Sequence, residues 1–159
     1  MTVDTYASRS PVDPARSQLM GRVRQKHSGP ELCVRSALHR AGYRYRLHAK
    51  DLPGSPDILL PRYGIALFVH GCFWHRHAGC RRTTMPKTRA DFWAAKFRRN
   101  VERDAEAAAA LRELGWIPLV LWECECADAG LILGRLADAI AQAAAAGAGS
   151  RPRSGRARS

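Results

Sequence analysis

The residues from His70 to Cys80 form the densest concentration of potential metal ligands and proton-transfer groups in this chain. They read His-Gly-Cys-Phe-Trp-His-Arg-His-Ala-Gly-Cys, with three histidines and two cysteines in eleven residues. Thiolate and imidazole are the usual structural ligands of zinc. Phe73 and Trp74 lie side by side in their midst, and such side chains are costly to leave in water unless they pack or insert into a partner. The stretch therefore predicts a zinc site beside an aromatic pair.

Cys72, His77 and Cys80 are close enough in sequence to bind one zinc ion from a single loop, because short loops close at little entropic cost. His75 is an alternative to His77 in this set. A site with four protein ligands is structural and has no open position for chemistry. Catalysis would then need other residues.

The fourth zinc ligand must come from another part of the chain. Cys124 follows a predicted strand and is the first candidate, and Cys126 is its competitor. In an extended segment, residues two apart point to the same side, so periodicity does not choose between them.

Asp57 precedes the apolar run 58–60, and a second apolar run, 65–69, leads directly into His70. Two strands of a hairpin can therefore present a carboxylate, a backbone carbonyl and an imidazole together. Oxygen ligands combined with phosphate suit magnesium, which keeps several of its waters. A metal-bound water beside a histidine is a nucleophile suited to phosphodiester hydrolysis.

The remaining pattern predicts a mixed α/β domain in which helices flank a small sheet. Ser28 and Glu31 have the spacing of a capping box at a helix start, as do Thr88 and Asp91. The predicted elements are, in order, a helix from 28 to 42, strands at 43–48, 58–60 and 65–69, a helix from 90 to 114, a strand at 117–122 and a helix at 129–146.

The pattern also predicts where two pairs of residues on these elements lie. Asn100 and Asp104 lie four residues apart on the long helix, where a solvated face is the main expectation and support of the site the lesser one. Trp116 and Trp122 flank a strand and are expected in the core.

The chain is strongly basic, with 26 lysines and arginines against 14 acidic residues and a formal net charge of +12. Four arginines lie in the Gly/Ser/Pro-rich tail, and without them the charge is still about +8. A folded, arginine-rich protein of this charge favours the phosphates of nucleic acid as its partner over a membrane surface.

The length of 159 residues predicts one domain at 17–146, with disordered segments at 1–16 and 147–159. Five cysteines interleaved with histidines, without an apolar signal segment, argue against a secreted disulfide scaffold and favour the cytoplasm. No apolar run approaches membrane-spanning length.

Taken together, several of these motifs resemble the very short patch repair endonucleases, bacterial T·G mismatch nickases related to restriction endonucleases. The similarity runs in order from about residue 16 to residue 126 and includes Ser28-Gly29-Pro30-Glu31, Leu52-Pro53-Gly54-Ser55-Pro56-Asp57, Phe68-Val69-His70-Gly71-Cys72-Phe73-Trp74-His75, Phe92-Trp93, Asn100-Val101-Glu102-Arg103-Asp104, Leu114-Gly115-Trp116 and Trp122-Glu123-Cys124.

The resemblance implies a set of catalytic residues. Asp57 would bind Mg²⁺ through its carboxylate, and Val69 would bind it through its backbone carbonyl. His75 would be the general base or position the water, with His70 assisting at the scissile phosphate. Glu31 would reach the water shell of the metal from the first helix, although a capping role explains this residue equally well.

The resemblance also implies the remaining site residues. The structural zinc would be held by Cys72, His77, Cys80 and Cys124. Contacts with DNA would come from Phe73, Trp74 and Trp93, as wedges beside the mispair, and from Met20 and Arg22 in the basic segment 17–27.

By the same resemblance, the fold is expected to be restriction-endonuclease-like. The expected activity is Mg²⁺-dependent nicking 5′ of the thymine in T·G mispairs that arise when 5-methylcytosine deaminates. The expected partner is double-stranded DNA with such a mispair, and other mismatch-repair proteins are further candidates. A single asymmetric nick suits a monomer. Two alternatives remain at this point, a non-catalytic zinc-stabilised DNA-binding module and a restriction-type nuclease without mismatch preference.

Overall fold

A computed structural model describes residues 27–146 of the chain. Residues 1–16 and 147–159, and the predicted DNA contacts Met20 and Arg22 in the segment 17–27, lie outside the described residues. The elements are α1 (Gly29–Arg40), β1 (Arg46–Leu47), β2 (Ile58–Leu60), β3 (Ile65–His70), α2 (Ala90–Glu113), β4 (Ile117–Trp122) and α3 (Ala129–Ala145). This is the mixed α/β architecture that the sequence predicts.

The four strands form one sheet in the order β1-β2-β3-β4. β1, β2 and β3 pair antiparallel, and β4 pairs parallel with β3. A parallel neighbour requires a crossover connection, and α2 lies within it. The register places His70 opposite Trp122, so the segments that follow β3 and β4 leave the sheet at the same end.

Both faces of the sheet are covered, which explains why β3 is a nearly continuous apolar run. On one face, Val34 and Leu38 of α1 and Leu136 of α3 belong to a buried cluster with strand residues such as Leu67. On the other face, Leu111 of α2 packs into a second cluster that includes Phe68 and Trp116. The predicted core position of Trp116 is confirmed, since the residue is 5% exposed, whereas Trp122 is only half-buried.

The two predicted helix starts differ in outcome. Ser28 is the N-cap of α1 and accepts a hydrogen bond from the Glu31 amide. The capping box predicted at Thr88 and Asp91 is wrong, because the N-cap of α2 is Arg89, in a left-handed conformation without a side-chain cap. The strand predicted over 43–48 is also shorter than expected, since only Arg46 and Leu47 pair with β2.

The loop between β1 and β2 packs closely against α2. Gly54 has a φ of +71°, and a Cβ built there would lie 2.7 Å from the Ala107 Cβ. A glycine is therefore required for both the backbone conformation and the close approach. This contact holds the loop that leads to Asp57.

None of the helices within residues 27–146 combines the length and the apolar character that a membrane crossing requires.

Candidate active site and metal-ligand cluster

A cleft of about 440 Å³ lies between the sheet and α2. Its lining brings together four residues that the sequence predicts to take part in catalysis, from the position before β2, from β3 and from the loop that follows β3. They are Asp57, Val69, His70 and His75. α2 contributes Asn100, Arg103 and Asp104 to the opposite wall.

Asp57 is directed towards β3 from the residue before β2. Its Oδ2 accepts a hydrogen bond of 2.8 Å from the Val69 amide. Because the N–H and C=O groups of one strand residue point towards the same neighbour, the Val69 carbonyl faces the same side. Burial raises the pKa of the Asp57 carboxyl above its ordinary value, and the charge of Glu31 adds to the rise, while the Val69 amide opposes it.

His75 is paired with a carboxylate from α2. Its Nδ1 lies 2.6 Å from Asp104 Oδ2. Because an ionised carboxylate only accepts, Nδ1 is the donor, which leaves Nε2 of the neutral ring as the proton acceptor. This is the arrangement of a histidine base held by an acidic partner.

His70 stacks on His75, with ring centroids 3.8 Å apart. Burial, followed by the neighbouring His75, lowers the pKa of His70 to about 4, although Asp104 acts in the opposite direction. At neutral pH this ring is therefore an uncharged hydrogen-bonding group.

The roles of Asn100 and Asp104 correct the sequence interpretation. We expected mainly a solvated helix face, with support of the site as the lesser option, whereas both residues line the cleft and so agree with the lesser option. Asn100 Nδ2 also donates to the Trp74 carbonyl at 3.1 Å. One feature of the sequence could have predicted this position. Both residues lie on the same stripe of the helix as Phe97, Ala108 and Leu111, where they interrupt an otherwise apolar face.

Glu31 is 2% exposed and is oriented differently from a simple capping box. Its Oε2 accepts from the His27 amide at 2.9 Å, one residue before the N-cap. Its Oε1 lies 3.4 Å from His48 Nε2. Glu31 is thus placed near the cleft, since His48 is one of the lining residues.

A second group of ligands lies at the end of the sheet where β3 and β4 finish. Cys72, His77, Cys80 and Cys124 each offer one ligand atom within 4.8 Å of the others. The His77 Nδ1 lies 3.6 Å from Cys72 Sγ and 3.4 Å from Cys124 Sγ. Tetrahedral zinc with its usual bond lengths separates a nitrogen and a sulfur ligand by about 3.5 Å, so the residues present fit this ion.

The register of the parallel strands explains why Cys124 belongs to this cluster. Cys72 and Cys124 each lie two residues beyond the paired residues His70 and Trp122. Cys126 is buried elsewhere, and its Sγ donates to the Trp122 carbonyl at 3.2 Å. Burial raises the pKa of the Cys126 thiol to about 12, consistent with a core residue. His75 is outside the cluster as well, because it pairs with Asp104.

The aromatic residues next to the cleft form one half-buried cluster. Phe73 contacts Trp74, Trp93 and Phe97, with ring centroids 5.1, 6.1 and 5.1 Å away. Lys96 Nζ lies 5.3 Å from the Trp74 ring centroid. The predicted wedge residues are therefore held together by α2 and lie beside a cation.

The sequence is similar to a family of DNA endonucleases and to several of its individual members. The sequence model for the DNA mismatch endonuclease Vsr matches residues 11–82. The type II nicking enzyme V.XorIIP of Xanthomonas oryzae pv. oryzae is 52% identical over 121 residues, which cover 76% of this chain and 88% of that protein.

Two further relatives agree. The type II nicking enzyme V.NmeAIP of Neisseria meningitidis is 39% identical over 76% of this chain and 86% of its own. The DNA mismatch endonuclease Vsr of Escherichia coli K12 is 39% identical over 69% of each chain. The chain is a DNA endonuclease that belongs to the Vsr family of mismatch repair enzymes.

Proposed function

We propose that this endonuclease nicks one strand 5′ of the thymine in T·G mispairs that arise from deamination of 5-methylcytosine. The observation that carries the proposal is the convergence of Asp57 with the His75–Asp104 pair in one cleft, beside the aromatic cluster. Three relatives are also named as nicking or mismatch enzymes.

Asp57 and the Val69 carbonyl would hold Mg²⁺, a cation that proteins bind through one or two carboxylates together with substrate phosphates. When bound, the ion supplies charge stabilisation at the scissile phosphate and a more acidic water. The donor set fits, because a buried carboxylate whose pKa is raised gains from a nearby cation.

His75 would accept the proton of the attacking water at Nε2, while Asp104 holds the ring through Nδ1. The water oxygen would bond to phosphorus as one phosphoester bond breaks, and the leaving ester oxygen would take a proton from solvent water to become a hydroxyl group. His70, uncharged at neutral pH, would donate a hydrogen bond to a phosphate oxygen. Glu31 would support the water shell from α1.

Cys72, His77, Cys80 and Cys124 would hold a structural Zn²⁺, which leaves no open position for catalysis. The zinc would hold in place the loop that carries both the aromatic pair and His75.

The predicted contacts with the mispair are Phe73, Trp74 and Trp93. These side chains would insert beside the mispair, since side-chain wedges unstack duplex steps and a mispaired step costs less to open. Met20 and Arg22 would contact the duplex from the N-terminal segment.

We further propose a restriction-endonuclease-like fold and one domain over residues 17–146, flanked by segments 1–16 and 147–159. Monomeric action suits a single nick in one strand.

The test is strand-resolved cleavage of a short duplex with one T·G mispair, beside a T·A duplex, with and without Mg²⁺ and in several flanking sequences. We expect a Mg²⁺-dependent nick 5′ of the mispaired thymine and no cut in the control. Equal cutting of both duplexes would instead establish a restriction-type nuclease. Cutting that persists in a chelator would exclude the metal-dependent mechanism.

A further inference from the structure

His27, Glu31 and His48 form a cluster of potential ligands at the start of α1, separate from the cysteine cluster. Each offers one ligand atom, and these atoms lie within 4.8 Å of one another. Glu31 comes from the first turn of α1, His27 immediately precedes the N-cap, and His48 follows β1. Residues distant in sequence thus meet at one point.

Two of the ligand atoms in this cluster are buried and lack a hydrogen bond. Within the described part of the chain, Glu31 Oε1 and His48 Nε2 are buried side-chain atoms without a hydrogen-bond partner. They lie 3.4 Å apart. An unsatisfied buried carboxylate oxygen is costly, and a shared cation would satisfy both atoms at once.

The separation of these atoms matches the ligand spacing of a transition metal. With bond lengths of about 2.0–2.2 Å, two nitrogen or oxygen ligands of a tetrahedral ion lie about 3.3–3.5 Å apart. Two imidazoles with one carboxylate favour zinc and similar ions over magnesium, which prefers oxygen ligands. We propose that His27, Glu31 and His48 bind a divalent transition-metal ion at a site distinct from the cysteine cluster.

Arg35 is the group that such an ion must displace. Its Nη1 lies 2.9 Å from His27 Nδ1 and 3.8 Å from Glu31 Oε1. The arginine is one helical turn beyond Glu31, so it balances the buried carboxylate when the ion is absent. Its side chain is 23% exposed, and it can turn towards solvent when the ion takes its place.

Three protein ligands leave a fourth position open for water or another small ligand. The site lies next to the proposed magnesium position, because the His48 amide donates to the Asp57 carbonyl at 2.9 Å. The ion would fasten the start of α1 to the strand that leads towards Asp57. The proposal does not depend on the cleavage reaction.

The test is the number of zinc ions that the full-length chain binds at equilibrium, with millimolar Mg²⁺ present to occupy oxygen-ligand sites. We expect His48→Gln and His27→Gln each to bind one equivalent less than the unaltered chain. His39→Gln is the matched control, since His39 is an exposed histidine on the same helix, and should bind the full number. Cys124→Ser should lose a different equivalent, so that the loss adds to that of His48→Gln.

Cobalt distinguishes the two sites by their spectra. Co²⁺ in the cysteine cluster gives a near-ultraviolet thiolate-to-metal band, whereas Co²⁺ at His27, Glu31 and His48 adds only visible bands. Far-ultraviolet circular dichroism verifies that each variant is folded, and the peripheral His27 variant serves if His48→Gln does not fold. Equal zinc binding by the folded histidine variants and the His39 control would overturn the proposal, as would cobalt bands that all depend on Cys124.

Discussion

At the scale of single residues, the orientation of one histidine ring decides which nitrogen can take a proton. The Asp104 carboxylate accepts from His75 Nδ1 at 2.6 Å, so the neutral ring presents Nε2 as its acceptor. An amide at position 104 could donate to Nδ1 instead and favour the opposite tautomer. The residue is therefore expected to act by positioning the base.

Asp104→Asn should slow the cleavage step while leaving duplex binding unchanged. A positioned general base typically contributes about 10²–10⁴-fold to rate, and we expect a loss within this range in single-turnover nicking. Asp91→Asn, at an exposed position in the first turn of the same helix, is the control and should cut normally. A normal rate in Asp104→Asn would remove the positioning role.

The buried carboxyl of Asp57 is expected to lower the stability of the fold although it is needed for activity. Burial raises the pKa of this carboxyl in the folded protein. The ionised carboxyl therefore lowers the free energy of unfolding when the pH rises above the pKa that Asp57 has in the unfolded chain. The loss of stability reaches its full size above the pKa that Asp57 has in the folded protein. Without Mg²⁺, Asp57→Asn should thus have an equal or higher Tm at pH 7, with no such gain near pH 3.

The same variant should lose nicking, because an uncharged amide binds Mg²⁺ weakly. Thermal unfolding at the two pH values, combined with a cleavage assay, measures both effects. A marked drop in Tm at pH 7 would show that Asp57 stabilises the fold and would contradict the pKa argument.

At the scale of elements, the parallel pairing of β3 and β4 brings together two cysteines 52 residues apart in sequence, Cys72 and Cys124. The paired strand ends place both just past the sheet, whereas Cys126 turns back to the Trp122 carbonyl. The two neighbouring cysteines therefore make a matched pair for testing the metal cluster.

Cys124→Ser should lower the bound zinc and the Tm together, because a structural metal contributes its binding free energy to folding. Cys126→Ser should keep its zinc, although a hydroxyl in the core also costs stability. The measurement is the zinc content of the two purified variants, which shows which cysteine is a ligand. Equal zinc content in both would mean that Cys124 is not a ligand.

The loop that leads to Asp57 depends on the close packing of Gly54 against α2. Gly54→Ala should destabilise the protein by about 1–3 kcal/mol, because the new Cβ would collide with Ala107 and strain the backbone. Gly134→Ala, within α3 and with open space around it, should instead stabilise by about 0.5–1 kcal/mol. Denaturant unfolding measures both, and a harmless Gly54→Ala would show that the loop moves easily away from the helix.

At the scale of the whole molecule, binding strength and mismatch discrimination should arise from different features. The formal net charge of +12 provides attraction to any duplex. This attraction weakens steeply with added salt, because the counterions that binding releases from DNA gain less entropy in a more concentrated salt solution. The aromatic cluster carries no charge of its own, and it is expected to respond to the stacking of the bases.

Trp74→Ala should reduce the preference for T·G over T·A duplexes by about 1–3 kcal/mol, the usual worth of one base-stacking contact. The salt dependence of binding should stay the same, since no charge is removed. Fluorescence anisotropy at several salt concentrations, with both duplexes, measures the two quantities. Unchanged discrimination would place mispair recognition on other residues.

Local patterns in the sequence predicted most of the secondary structure. The apolar runs at β2, β3 and β4 and the Ser28 cap of α1 are confirmed, because each depends on neighbouring residues. The capping box at Thr88 failed, since Arg89 adopts the N-cap position in a left-handed conformation. Capping motifs are short, and the packing of a helix can override them.

The sequence by itself determined the family, the order of the elements and the stretch from His70 to Cys80 in which potential ligands are concentrated, because these are properties of nearby residues. Periodicity could not separate Cys124 from Cys126, although the family resemblance implied Cys124, and the tertiary structure places Cys124 in the cysteine cluster. Only the tertiary structure decided that Asp104 meets His75 and that Glu31 faces His27 and His48. The physical reason is that the packing of α2 and the register of β3 with β4 bring together residues that no local periodicity connects.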